Sequence, residues 1–294
     1  MIKRTIQRVL GLAGYEVHRI LPSDGPTFVN DSSSANRLPA IKPIWPLPRR
    51  NISREAIIAR FAQDDLWHYA YEFDGGLSFP ARHLNAGRLE HDPRRPLQRF
   101  HHMMPALLAS QQGSIQGKRV LDIACSSGFW SIQLALMGAN VVGFDARAEL
   151  IAQANFIKEV TGAATVEFRL MDFWEMSPES LGGTFDIVLN LGILYHLPKP
   201  LEALELTKKM ARDVIVLETL VHSSPQPVVR LQGEDPLDIR LASVSGVVAY
   251  PTRTAMDLMF RHLHFAYWAE IPLPSTDMPS DYLENHRGTW LIRV

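Results

Sequence analysis

Three acidic residues stand where a carboxylate at the end of a β-strand would meet a ligand. Asp122 lies in the run Val120-Leu121-Asp122-Ile123-Ala124-Cys125-Ser126-Ser127-Gly128, an apolar strand pattern that gives way to small residues before a helical stretch opens near Phe129. Asp145 ends Val141-Val142-Gly143-Phe144-Asp145, and Asp172 follows Leu170-Met171 just ahead of Phe173. Small side chains at Ala124, Cys125, Ser126 and Gly128 let a ligand come close to the backbone. A dinucleotide would ask for G-x-G-x-x-G here, so that a pyrophosphate sits on the helix N-terminus with no acid in the way. Only Gly128 is available, and Asp122 would repel a phosphate. The pattern suits a ligand that is cationic near this loop and carries no phosphate, a description that S-adenosylmethionine meets. On that reading Asp145 accepts the ribose hydroxyls, Asp172 accepts from the adenine amino group and Phe173 borders the ring.

A second group of residues follows the fourth strand pattern, in Asn190-Leu191-Gly192-Ile193-Leu194-Tyr195-His196-Leu197-Pro198. Asn190 would end the strand beside the crevice in which open α/β sheets bind ligands. Methyl transfer from a sulfonium is an in-line displacement, so the protein mainly aligns donor and acceptor. A hydroxyl acceptor must also lose its proton, and His196 is the candidate base. Tyr195 would pack against the methionine end of the cofactor or touch the acceptor. Arg287 can grip a carboxylate or phosphate of the acceptor in forked geometry. Cys125 is read as a small loop residue rather than a nucleophile. The pair His101-His102 is not read as a metal site, because adjacent helical residues do not face one way.

These residues need a sheet to hold them in register. From Arg119 onward, short β-branched or apolar runs alternate with helix-length amphipathic stretches, the mark of an α/β fold with a mostly parallel sheet and helices on both faces. Seven strands are expected at 119–124, 140–145, 165–170, 185–191, 212–219, 263–270 and 288–293, with helices near 129–138, 147–160, 200–210 and 253–261. The stretch 221–248 breaks the alternation and reads as an insertion over the carboxyl edge of the sheet. Upstream, residues 1–20 show a basic amphipathic helix pattern, and residues 21–50 are a proline-rich linker. Residues 51–116 form an N-terminal extension or cap, helical after Ser53 and again from Pro96 to Leu108, with Pro105 a possible kink. The S-adenosylmethionine-binding domain is expected at 117–294.

The run Leu121 to Gly128, with Asp145, Asp172 and the Asn190 to Pro198 segment, resembles the class I S-adenosylmethionine-dependent methyltransferases over roughly Gln98 to Val294. The resemblance implies a Rossmann-like sheet. Their first loop usually reads acid-x-Gly-x-Gly-x-Gly, whereas Ala124 and Ser126 occupy the first two glycine places here. More narrowly, Trp67-His68, Asp74-Gly75-Gly76, the run Gly192 to His196, and Arg287 ahead of Trp290-Leu291-Ile292 resemble the bacterial tRNA wobble-uridine carboxymethyltransferases. That likeness implies carboxy-S-adenosylmethionine as donor, its extra carboxylate held by Tyr195, Arg287 and an upstream lysine. The segment Phe79 to Gln116 holds arginines and no lysine, which leaves S-adenosylmethionine the expected donor.

The chain has 294 residues and a formal net charge of −1, from 30 Lys and Arg against 31 Asp and Glu. It therefore lacks the overall basic excess of a polyanion binder, although Arg94, Arg95 and Arg99 could track a phosphate backbone. One cysteine rules out an intrachain disulfide and points to a reducing compartment, the cytoplasm. The expected function is O-methylation of a small molecule or glycan precursor. Competing readings are a tRNA wobble-uridine modifier and a non-enzymatic cofactor-binding module. Residues 1–20 would give peripheral membrane contact.

Overall fold

The computed structural model describes residues 41–50, 52–82, 94–233, 246–273 and 277–294. The expected helix at 1–20 and most of the linker lie outside these residues, as does 234–245 of the insertion. The element order is α1 (Arg54–Gln63), β1 (Tyr71–Phe73), β2 (Leu77–Phe79), α2 (Arg95–Ser110), β3 (Arg119–Ile123), α3 (Phe129–Leu136), β4 (Asn140–Asp145), α4 (Ala148–Thr161) and β5 (Val166–Leu170). It continues with β6 (Phe185–Leu191), α5 (Pro200–Met210), β7 (Ala211–Leu220), β8 (Val229–Gly233), β9 (Val247–Pro251), α6 (Arg253–His262), β10 (Tyr267–Glu270), α7 (Ser280–Leu283) and β11 (Arg287–Arg293).

Seven strands form one sheet in the order β10-β11-β7-β6-β3-β4-β5. The strands from β5 to β7 pair in parallel, while β11 runs antiparallel between β7 and β10. This is the Rossmann-like architecture expected from the alternating pattern. The strand order reverses between β3 and β6, which puts the ligand crevice outside their carboxyl ends.

Side chains alternate across each strand, so each face of the sheet builds its own core. On one face Val120, Val141, Ile187, Val214 and Leu291 pack with Phe100, Ile132 and Ile157 from α2, α3 and α4. On the other, Leu121, Phe144, Val188, Ile215 and Ile292 pack with Leu204, Met256 and Phe260 from α5 and α6. The alternation also assigns the polar residues: Asp122, Asp145, Glu218 and Arg287 share a face with the first set, and Asn190 shares the second.

Two elements differ from expectation. The strand expected at 263–270 begins only at Tyr267, because Leu263 ends α6 and His264 turns with φ 52° before Phe265 plugs the core. Helix α2 continues through Pro105 as one element. Its first turn carries Pro96, where the missing N–H costs no hydrogen bond. The extension upstream is an integral layer of the core. Ser53 caps α1 by accepting from the Ala56 N–H at 3.1 Å, and Phe61, Trp67, Tyr71, Phe73 and Phe79 form a stacked and edge-on aromatic group behind the hairpin β1–β2.

Candidate active site

The loop after β3 is held by the two acids that the sequence singles out. Asp145 accepts from the Ser126 N–H at 3.0 Å and the Arg147 N–H at 3.1 Å, one bond per carboxylate oxygen. A carboxylate has about four acceptor positions, so both oxygens keep capacity for ribose hydroxyls. Asp122 accepts from the Ser131 hydroxyl at 2.6 Å. Gly143 makes room for that bond, since a Cβ there would come within 2.6 Å of Ser131 Oγ. Burial pushes the Asp122 carboxyl up to about 7 against the pull of the Ser131 hydrogen bonds, with Asp145 adding repulsion. Burial raises Asp145 too, over the opposing pull of Arg147 and the loop amides. Two buried acids that burial keeps from ionising freely form a setting that a cationic ligand relieves. The donor set therefore fits S-adenosylmethionine.

The other expected cofactor residues sit as follows. Ala124 and Ser126 have φ of 53° and 51°, and Gly128, with φ 85°, precedes the first residue of α3. Burial, with the charges of Asp122 and Asp145, raises the Cys125 thiol, which therefore stays protonated. Asp172 caps the short 3-10 turn Phe173–Glu175, accepting from the Trp174 N–H at 2.8 Å. The Phe173 ring is buried with Leu121 and Phe144. Asn190 is fully buried and its side-chain amide donates to Thr207 Oγ1 at 3.0 Å, so it faces α5 rather than the face of Asp122 and Asp145. Its Oδ1 has no protein partner.

The Leu194–His196 turn carries Tyr195 and His196 just beyond the end of β6. Their rings lie 4.0 Å apart, and Tyr195 also stacks with Tyr250 of β9 at 6.1 Å between centroids. Tyr250, two residues past the expected insertion 221–248, thus lies against the Tyr195 turn.

Arg287 is the centre of a buried charge cluster. Its guanidinium lies 5.4 Å from the Tyr195 ring centroid, donates from Nε to Asp281 at 2.8 Å and donates from Nη1 to Glu218. Arg99 of α2 donates to the second oxygen of Glu218, and Arg95 forks onto Asp281 at 2.7 and 2.9 Å. Burial alone would raise the Glu218 carboxyl, but the charges of Arg99, Arg287 and Arg95 hold it down at about 2. Three arginines against two carboxylates leave one positive charge in excess. The Arg99 and Arg287 nitrogens converge beside Gly192, where a Cβ would meet nothing nearer than 3.9 Å. That cradle, with the buried Arg99 Nε lacking a protein partner, suits an anionic group.

The sequence reading took Arg99 only as a phosphate-track candidate and did not single out Glu218, Tyr250 or Asp281. Only Glu218 had a local signal, an acid inside the apolar strand β7.

A family model described as "Methyltransferase domain" matches residues 115–234. The chain is 37% identical over 117 residues to the tRNA U34 carboxymethyltransferase of Alcanivorax borkumensis, covering 39% of this chain and 36% of that protein. The Pseudomonas fluorescens protein of the same name is 29% identical over 182 residues, covering 60% and 54%. A ubiquinone biosynthesis O-methyltransferase from Dechloromonas aromatica is 34% identical over 119 residues, covering 39% and 50%. These alignments span about a third to a half of the relatives' length. In structure, the chain resembles the N-terminal domain of EvdMO1 with SAH bound, at 21% identity and TM-score 0.63, over 82% of this chain and 96% of that one. The acid-held loop and the strand order agree with these likenesses: residues 115–234 match a methyltransferase domain, the fold is that of an SAH-binding neighbour, and the chain is similar over part of its length to the tRNA U34 carboxymethyltransferases.

Proposed function

We propose that this enzyme methylates a hydroxyl of a small-molecule or glycan-type acceptor that carries an acidic group. The observation that carries this reading is the convergence of Arg99 and Arg287 beside Gly192, next to Tyr195 and His196. The cofactor, when bound, supplies an electrophilic methyl on a sulfonium. Asp145 holds its ribose, while Asp122, Asp172, Phe173 and the small loop residues complete its pocket. His196 takes the acceptor's proton as the oxygen–carbon bond forms and the sulfur–carbon bond breaks. Tyr195 flanks the path of the methyl group, and Arg287 orients the acid of the acceptor. The described residues of the 51–116 extension act as a cap, and the described residues of 221–248 as the acceptor-side wall. The enzyme works in the cytoplasm.

Transfer to RNA is disfavoured by the fate of the three arginines that were candidates for a phosphate track. Arg94 pairs with Asp277, Arg95 with Asp281 and Arg99 with Glu218. A carboxylated donor is a second reading with its own support, because Arg99 supplies beside Arg287 the upstream cation that the resemblance asks of a lysine. Titrating S-adenosylmethionine against its carboxylated form separates the two. The acceptor class is tested by incubating the protein with methyl-labelled S-adenosylmethionine and a cell extract divided into RNA and non-RNA fractions. Label is expected in the non-RNA fraction, lost in His196→Gln by about a hundredfold or more. Label in RNA removes the small-molecule reading, and unchanged turnover removes His196 as the base.

A further inference from the structure

The cofactor loop contains two side chains in a backbone conformation that glycine adopts freely. Ala124 at φ 53° and Ser126 at φ 51° both lie in the left-handed region, where a Cβ crowds the following carbonyl. Such a conformation persists only where its surroundings over-determine it. One restraint is internal to the sheet: Asp145 takes the Ser126 N–H, and the Cys125 N–H donates to the Phe144 carbonyl at 2.9 Å.

The other comes from the N-terminal extension packed into the core. Tyr71 of β1 is fully buried, and its hydroxyl lies 2.8 Å from both the carbonyl and the hydroxyl oxygen of Ser127. Burial raises the phenol, so it stays protonated. Its one proton goes to the carbonyl, and the Ser127 hydroxyl therefore donates to Tyr71. The ring is fixed in turn by Phe61, Trp67 and Phe73. A hairpin of the extension thus grips the residue between Ser126 and Gly128.

We infer that Tyr71 is a positioning residue for cofactor binding: it clamps Ser127 so that Ala124 and Ser126 keep the left-handed turns that glycines would adopt unaided. Tyr71 acts through the loop and touches no ligand atom. Its importance is then conditional on the two side chains it restrains, which a purely structural role would not produce.

The test is a cycle on the full chain, with S-adenosylhomocysteine affinity read by calorimetric titration and a thermal melt for each protein. The variants are Tyr71→Phe, the pair Ala124→Gly with Ser126→Gly, and all three together. Tyr71→Phe is expected to weaken binding about tenfold in the native loop and less than about twofold in the glycine loop. Folding of the triple variant where Tyr71→Phe alone fails to fold is the same rescue. Equal weakening in both loops, no weakening in the native loop, or misfolding in both overturns the inference.

Discussion

The two ends of the crevice are built from opposite charges and in opposite ways. At the cofactor end, Asp122 and Asp145 sit at the ends of neighbouring strands, and burial works against their ionisation. At the other end, Glu218 and Asp281 lie among three arginines that hold both carboxyls well below their ordinary values despite burial. The first end is short of a cation and the second has one to spare. Under the proposed function, this polarity suits a donor with its positive charge over the acids and an acceptor with its negative charge over the arginines. The difference also separates the two ends in how they hold charge: burial opposes ionisation at the acid end, whereas the arginine end is paired within the core.

The largest expected effect breaks the arginine end. Glu218→Gln leaves Arg99 and Arg287 buried without their shared carboxylate, and should lower unfolding free energy by about 3–5 kcal/mol in a denaturant titration. A loss under about 1 kcal/mol would mean that this carboxylate does not hold the cluster. The matching change at the acid end should show the reverse pattern. Asp145→Ala should weaken S-adenosylhomocysteine binding by about a hundredfold, near 2.7 kcal/mol, with a smaller effect on stability because a buried acid that resists ionisation is also removed. Calorimetry and melting on the same sample check both halves.

The smallest effect is the pH dependence, and here the two ends have opposite signs. Asp122 has its carboxyl raised from 3.8 to about 7 in the folded chain. Its favourable contribution is present at low pH and falls as pH rises through that interval. Glu218 is lowered from 4.5 to about 2, so its contribution is complete above 4.5 and is lost as pH falls toward 2. The Asp122 contribution should therefore decline from pH 4 to pH 7, against an opposite slope from His102, whose burial lowers its imidazole from 6.5 to about 4, and Asp122→Asn should remove that decline in melts across the range. A slope unchanged in the variant would assign it to other groups.

The same contrast governs what the sequence discloses. The acid end is legible because one stretch, Val120 to Gly128, writes strand, acid, turn and helix in order, and Asp145 repeats the pattern on the next strand. The mostly parallel sheet follows from that alternation, whereas the strand order is read from the structure. The arginine end draws on α2, β7, α7 and β11, so its partners are separated by 119 residues between Arg99 and Glu218 and by 69 between Glu218 and Arg287. No spacing rule spans such gaps. Arg287 stood out only through resemblance, and Arg99 looked like one of several surface cations. Asn190 shows a subtler limit: its position at the strand end was readable, but the period-two alternation turns its amide toward Thr207. Likewise Leu263 to Phe265 carry strand-like residues, yet form a turn that seals the core.

The most direct measurement is a crystal structure of the chain with S-adenosylhomocysteine. The account predicts the ribose hydroxyls on the Asp145 carboxylate, the amino acid end over residues 124–128, and the sulfur directed toward Gly192 and His196. A ligand bound elsewhere, with Asp145 contacting only the Ser126 and Arg147 amides, would contradict it.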